Sequence, residues 1–548
     1  MNVKSALLSL LMAAVFFCVG FGGGARAEEA WLHELKTLPV QDAGRVKPFD
    51  TFAREALQLV YGKRTYKKSS AVEVVFTWIL VGDHWGDIPF VEVRHAGLKE
   101  ALSLEKEKKL FTPTELMNNP KLPVVFSELQ TKRERQEKLN PYFQAVQRLE
   151  SQLGTLQILS RGQIPGMQPE AESDKWLAPS DLKSPAKEKF VALVQSFSAY
   201  ISDKNSETEK DLAQKVTDFK ASTMTLAPEK APSIGKIKLE VTYNDVHPFM
   251  WAWIAYLLSA IFFISYAVRK HPWQNSLGWV FLAVGFLLHT AGMATRVYLA
   301  GRPPVSNMYE TVVWVPWGAL VFGFILERVQ KSKLVLISST CIAILCLILT
   351  DLAPAVLDPS LQPLEPVLRS TFWLSTHVLV ISVSYAAFFL AFALGDLILY
   401  YYLRGEEKYR PQIQAGVMSI YRAIQIGVVL LALGIILGGI WADYSWGRFW
   451  GWDPKETWAL IALLGYLAIL HGRLSGWIRQ FGLAVCSVLS FSLVIMAWYG
   501  VNFVLGAGLH SYGFGAGGVE YVTAFVVLHI LYVTYVTTVR YSRMKIKS

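Results

Sequence analysis

Cysteine is scarce in this 548-residue chain, and charge is thin. The four cysteines, Cys18, Cys341, Cys346 and Cys486, all stand in apolar runs. None pairs at CxxC spacing and there is no CxxCH, which excludes a thiol oxidoreductase and a c-type cytochrome. Residues 28–246 contain no cysteine, so no disulfide holds them. Charged residues make up only 18% of the chain against 53% hydrophobic ones. No basic stripe marks a soluble segment. Residues 28–246 carry 31 Lys/Arg and 31 Asp/Glu, and residues 247–548 carry 20 and 12. The net charge of +10 therefore belongs to the apolar half and the extreme N-terminus, which excludes a nucleic-acid partner of the usual kind. There is no internal repeat.

What the chain has is apolar length. Residues 1–27 read as a signal peptide. Lys4 gives a weak positive start, residues 6–20 an apolar core, and Ala25-Arg26-Ala27 a small-x-small cleavage form. An uncleaved anchor is the alternative, and either one exports the segment after it. Residues 28–246 read as a mainly helical, extracytoplasmic domain. Within it, 128–157 reads as helices broken at Pro141, 162–187 as a loop or subdomain boundary, and 71–81 as a core helix or strand too short to span a bilayer.

From 249 onward come nine apolar runs of bilayer length, near 249–268, 275–295, 307–326, 334–352, 373–402, 420–440, 456–471, 480–502 and 521–539. The expected fold is an all-α polytopic membrane bundle over 247–548. With the start outside, 15 of its 20 basic residues fall in inner loops or the tail. That positive-inside bias agrees with an exported N-terminal domain and with a bacterial cytoplasmic membrane.

This topology puts "WGRFWGWDPKETWAL" (446–460) outside, between spans six and seven. Trp441, Trp446, Trp450, Trp452 and Trp458 then lie at the outer surface, around the turn Asp453-Pro454. An aromatic belt accounts for any one of them. It does not account for the cluster or the turn. A short, rigid, tryptophan-lined shelf suits a broad flat ligand with an apolar middle. Two histidines flank it on the same side: His377 at the outer end of span five and His510 in the Gly-rich loop 505–518. Neutral imidazoles so placed suit the axial positions of a haem. Arg296 and Arg302 stand outside against the general bias, where carboxylates or lipid headgroups would meet them. Residues 361–370 suit a short amphipathic helix. His289, His471 and His529 are intramembrane or interfacial, with helix–helix hydrogen bonding or anchoring as the plain alternatives.

These stretches resemble a known family. "WGRFWGWDPKETWAL" resembles the WWD signature of haem-handling membrane proteins. "GRPPVSNMYET", "LRSTFWLSTHVLVISVSYAAF", "YLAILHGR" and "GLHSYGFG" are similar to the CcsA/ResC half of the system II cytochrome c synthase, in order and across 247–548. "LPVQDAGRVKPFDTFARE" (38–55) resembles the extracytoplasmic domain of fused forms. The resemblance implies a holocytochrome c synthase. It would carry non-covalently bound haem b to the outer face and join its vinyl groups to the CxxCH thiols of an exported apocytochrome c. It makes His377 and His510 the external axial ligands and His471 an inner-side ligand. Trp446, Trp450, Trp452 and Asp453 would form the working edge, with Trp441, Trp458, Pro454, Arg296 and Arg302 around the haem. Fused forms begin with further membrane helices, the CcsB/ResB half; a signal peptide stands there here, which implies a separate ResB-like partner. A haem exporter without ligase activity would use the same site. A quinone-linked oxidoreductase with transmembrane bis-His haems is disfavoured, because no intramembrane His pair stands out.

Overall fold

The computed structural model describes residues 29–547 apart from 68, 136, 138, 354–355, 364–370, 507 and 509–517. The expected signal peptide, His510 and most of the expected amphipathic helix at 361–370 lie outside the described residues. The described chain divides into two compact units that meet in sequence at Val246 and His247.

The first unit is helical, with four two-stranded antiparallel sheets among the described residues. Its core gathers Trp31, Phe49, Phe76, Trp78, Phe90, Phe197 and Phe219, all buried. The segment 71–81 is a helix, Ala71–Val81, started by the Ser70 hydroxyl accepting from the Glu73 N–H. The break at Pro141 is a helix start: Pro141 opens Pro141–Ser160 behind the Asn140 cap, where its missing N–H costs nothing. The stretch 162–187 departs from the loop expectation. Gln168–Glu170 pairs with Ser173–Leu177. Gln-Pro-Glu has no alternating apolar pattern, so nothing in the local sequence announced this strand.

The second unit holds nine helices long and apolar enough to cross a membrane, among the described residues. Spans one to nine are Pro248–Arg269, Pro272–Ala300, Met308–Gln330, Lys333–Leu352, Thr371–Gly405, Arg410–Trp446, Pro454–Leu474, Gln480–Leu505 and Val519–Lys547. Most connections are short, so successive spans run antiparallel. Several helices outrun their apolar runs. Span six has 37 residues, because its polar first turns keep backbone hydrogen bonding beyond the hydrophobic stretch. Exposed apolar side chains such as Val268, Val429 and Leu528 cover the lateral surface, as a lipid-facing surface requires.

Spans five and six pack along a glycine seam. A Cβ at Gly416, Gly427, Gly434 or Gly438 would run into Ile398, Phe388, Ile381 or His377 of span five, in that antiparallel order. Gly434 and Gly438 form a GxxxG pair, and small residues of this kind let two membrane helices approach closely. The seam delivers His377 against span six at the end of the bundle that carries the tryptophan loop.

Candidate functional site

The tryptophan loop is shaped by a cap. Asp453 precedes span seven, and its Oδ1 accepts from the Lys455 N–H at 2.9 Å. Glu456 reaches back, and its Oε2 accepts from the N–H groups of Asp453 (3.1 Å) and Gly451 (2.8 Å). This capping box satisfies donors that a helix start leaves open. Pro454 takes the first helical position, where its fixed φ is already suitable. The box holds the preceding residue in an unusual shape: Trp452 has φ +56°, a left-handed backbone that a bulky residue rarely adopts. Trp452 is 70% exposed and meets Trp450 edge to face at 5.8 Å. It stands outward as a consequence of the turn.

Behind the loop lies a partly open cavity. His377, Trp441, Phe449, Trp450, Lys455 and Trp498 are among its walls. The His377 ring stacks on Trp441 at 5.8 Å and 13° between planes. Trp441 is buried and meets Trp446 edge to face at 4.6 Å. The Arg448 guanidinium lies 5.9 Å from the Trp446 ring centre. Rings of this kind form a rigid apolar wall with few conformations to lose on binding.

The fourth side comes from the end of span eight. Met496–Leu505 is a π-helix, a rare arrangement frequent at functional sites. Trp498 Nε1 donates to the Thr311 hydroxyl at 3.0 Å, tying span eight to span three. Asn502 Oδ1 accepts from Lys455 Nζ at 3.2 Å. Gly508, with φ +95°, lies so close to the cap that a Cβ there would sit 2.2 Å from Asp453 Oδ2. Gly508, two positions before His510 in sequence, thus stands against the tryptophan turn.

Other expected residues take other places. Arg296 and Arg302 do not line the cavity. Arg296 donates to Glu310 Oε1 (3.1 Å) and the Pro359 carbonyl; Arg302 donates to Glu310 Oε2 (2.9 Å) and the Gln362 carbonyl. Glu310 also accepts from the Ser306 N–H, and all three charges are largely buried. The carboxylate these arginines hold is the protein's own, and the network shapes the 303–311 wall. Trp458 packs on the hydrophobic core of the bundle instead of the cavity. His471 lies about 27 Å along span seven from Asp453, at the basic end, its ring bonded to the Leu467 carbonyl. His289 is fully buried between the Tyr256 hydroxyl (3.2 Å) and the Val313 carbonyl (3.0 Å), a helix–helix tie. His529 meets Asp396 of span five at 3.2 Å.

Sequence reading gave no site role to Lys455, Glu456, Glu310, Trp498 or Asn502. Asp453-x-x-Glu456 is a capping-box signature and was legible. Trp498 and Asn502 share a helix face at i, i+4 spacing, yet nothing local ties them to span three or to Lys455.

Comparisons with known proteins fall on the same region. Residues 305–510 match a family described as "Cytochrome C assembly protein". That range takes in the cavity walls and both flanking histidines. The chain is 36% identical over 261 residues to the cytochrome c biogenesis protein CcsA of Synechococcus sp. (strain CC9902), covering 42% of this chain and 85% of that one. CcsA of Parasynechococcus marenigrum is 35% identical over 290 residues, covering 48% and 94%. Protein NrfI of Wolinella succinogenes is 30% identical over 511 residues and covers 86% of this chain, so that likeness extends beyond the membrane half. The chain spans about half of NrfI, 53% of its length. Similarity at this level across most of each CcsA places the chain: it belongs to the CcsA-type cytochrome c biogenesis family.

Proposed function

We propose that this chain is a cytochrome c synthase of the thioether-forming kind. Non-covalently bound haem is its substrate, held in the cavity behind the tryptophan loop, and the haem vinyl groups are joined to the CxxCH thiols of an exported apocytochrome c. The observation that carries this reading is the cavity itself: one wall bears an imidazole backed by a stacked tryptophan, and the others bear the aromatic loop and the π-helix that leads to His510. An aromatic slot with a nitrogen donor at its wall fits a flat metalloporphyrin.

The chain's part is positioning. Stacking on Trp441 and the tight fit against Gly438 fix the His377 ring plane, so its nitrogen meets the iron in one orientation. His510 is the second external ligand in this reading, carried by the loop that leaves the turn at Gly508. Haem fixed in this way presents its vinyl edge to incoming thiols, and proximity replaces a bimolecular encounter. In each addition the thiol S–H crosses the vinyl C=C. A C–S bond forms and the hydrogen ends on the neighbouring carbon, so no leaving group or oxidant is needed. The basic residues gather at the opposite end of the bundle, which favours the tryptophan end facing outward across a bacterial cytoplasmic membrane. His471, at the basic end, is placed to meet haem entering from inside, together with a ResB-like partner chain.

The test is an absorption spectrum of the detergent-purified protein, alone and with a ResB-like partner, followed by thioether formation on a CxxCH apocytochrome. Haem content should fall in His377→Ala and in His510→Ala, and added imidazole should partly restore it. Haem-free preparations under every condition would defeat the reading. Haem transfer without thioether formation would replace it with a haem exporter.

A further inference from the structure

The cavity contains a cation that the mechanism above leaves unused. Lys455 follows Pro454 in the first turn of span seven, and its side chain enters the cavity wall. Its ammonium has three N–H donors. One goes to Asn502 Oδ1 at 3.2 Å, a neutral acceptor. Among the described residues no carboxylate lies within ion-pair distance of Lys455 Nζ. Of the two acids beside it in sequence, Asp453 acts on the ammonium only through space, and both make their hydrogen bonds to backbone N–H groups. Asp453 accepts from the backbone N–H of Lys455, and Glu456 accepts from the N–H groups of Gly451 and Asp453, with Arg448 4.0 Å away.

The neutral partner is itself held in place. Asn502 Nδ2 donates to the Trp498 carbonyl at 3.3 Å within the π-helix, which leaves Oδ1 turned toward the ammonium. The amide orients the lysine without neutralising it. A partly buried lysine with no ion-pair partner is less favourable there than at the surface. Of the other cations near this end of the bundle, Arg296 and Arg302 are committed to Glu310, and Arg448 lies over Trp446 with Glu456 4.0 Å away. Lys455 is thus the cation left facing the cavity with donors to spare.

We propose that Lys455 binds a carboxylate of the cavity's ligand. Resting on the reading of that ligand as haem, this carboxylate is a propionate. Lys455 and His377 then hold the porphyrin at two points, its acidic edge and its iron, and the two contacts together fix which edge reaches the thiols. Asn502 is a positioning residue for the ammonium.

The experiment compares haem with its dimethyl ester, which keeps the iron, the ring and the vinyl groups but lacks both carboxylates. Binding of each is measured by absorbance titration of the detergent-purified full chain, in wild type, Lys455→Gln and Lys455→Arg. Wild type should bind haem about tenfold to a hundredfold more tightly than the ester, the range of one charge-assisted hydrogen bond. Lys455→Gln should lose that preference while its affinity for the ester is unchanged, which also shows that the variant is folded. Lys455→Arg should keep most of the preference. A wild type that binds both porphyrins equally overturns the assignment whatever the variants do, and so does a Lys455→Gln that still prefers haem. Failure of wild type to bind either porphyrin is a different result, and it removes the haem reading of the cavity along with this assignment.

Discussion

The close fit between Gly438 and His377 gives the sharpest prediction, because two opposing effects can be weighed. Alanine at position 438 favours a helix over glycine by about 1 kcal/mol. Its Cβ, however, would stand 2.9 Å from His377 Nδ1 and 3.2 Å from Cε1. Ordinary contact begins near 3.4 Å, so the ring must retreat by roughly half an ångström. Crowding of this kind costs about 1–3 kcal/mol where nothing can move. Here a side chain can move, and the bundle should therefore melt near the wild-type temperature. The cost falls on the site instead. A displacement of about 1 Å costs on the order of a hundredfold in a positioned reaction, so half of that should cost about tenfold. Gly438→Ala is expected to lower thioether yield on a CxxCH peptide about tenfold and to weaken haem retention, with partial rescue by imidazole. Gly434→Ala is the control. Its Cβ would meet the Ile381 backbone nitrogen at 3.1 Å as well as its side chain at 2.4 Å, so the helices themselves must part and the melting temperature should fall. A Gly438→Ala protein with wild-type haem content and wild-type yield would refute the placement of His377 as the positioned ligand.

Three other outcomes rest on the same geometry. Glu310→Ala leaves Arg296 and Arg302 buried without their shared carboxylate and should cost about 3–5 kcal/mol, read as a large loss of thermal stability in detergent. Asp453→Ala removes the helix cap and should cost about 1 kcal/mol, while Asp453→Asn keeps the acceptor and most of the stability. If haem retention fell equally in both, Asp453 would act through its charge and not as a cap. Trp452→Gly relieves a left-handed backbone and should raise stability by about 1 kcal/mol, yet thioether yield should fall if the outward ring guides the apocytochrome. Unchanged yield would reduce Trp452 to a by-product of the turn.

The nine spans, the distinct N-terminal unit and the tryptophan loop were legible in the linear sequence. Each rests on a local property: twenty apolar residues in a row, balanced charge in a stretch without such runs, or a turn of Asp and Pro. The family motifs were local too. Where His377 packs was not. His377 and Gly438 lie 61 positions apart, and only a run of glycines that admits span five against span six brings the imidazole onto Trp441. Arg296 and Arg302 read as cations awaiting an outside carboxylate because their partner, Glu310, sits in the first turn of the next span and looks like an ordinary helix-start acid. Lys455 read as one more loop charge for the opposite reason: its hydrogen bond to a neutral amide in place of an ion pair is a fact of packing and leaves no mark in the sequence. Periodicity and composition set which segments cross the membrane, because each helix satisfies its own backbone there. Which side chains face one another depends on how closely those helices approach, and that distance is decided between segments far apart in the chain.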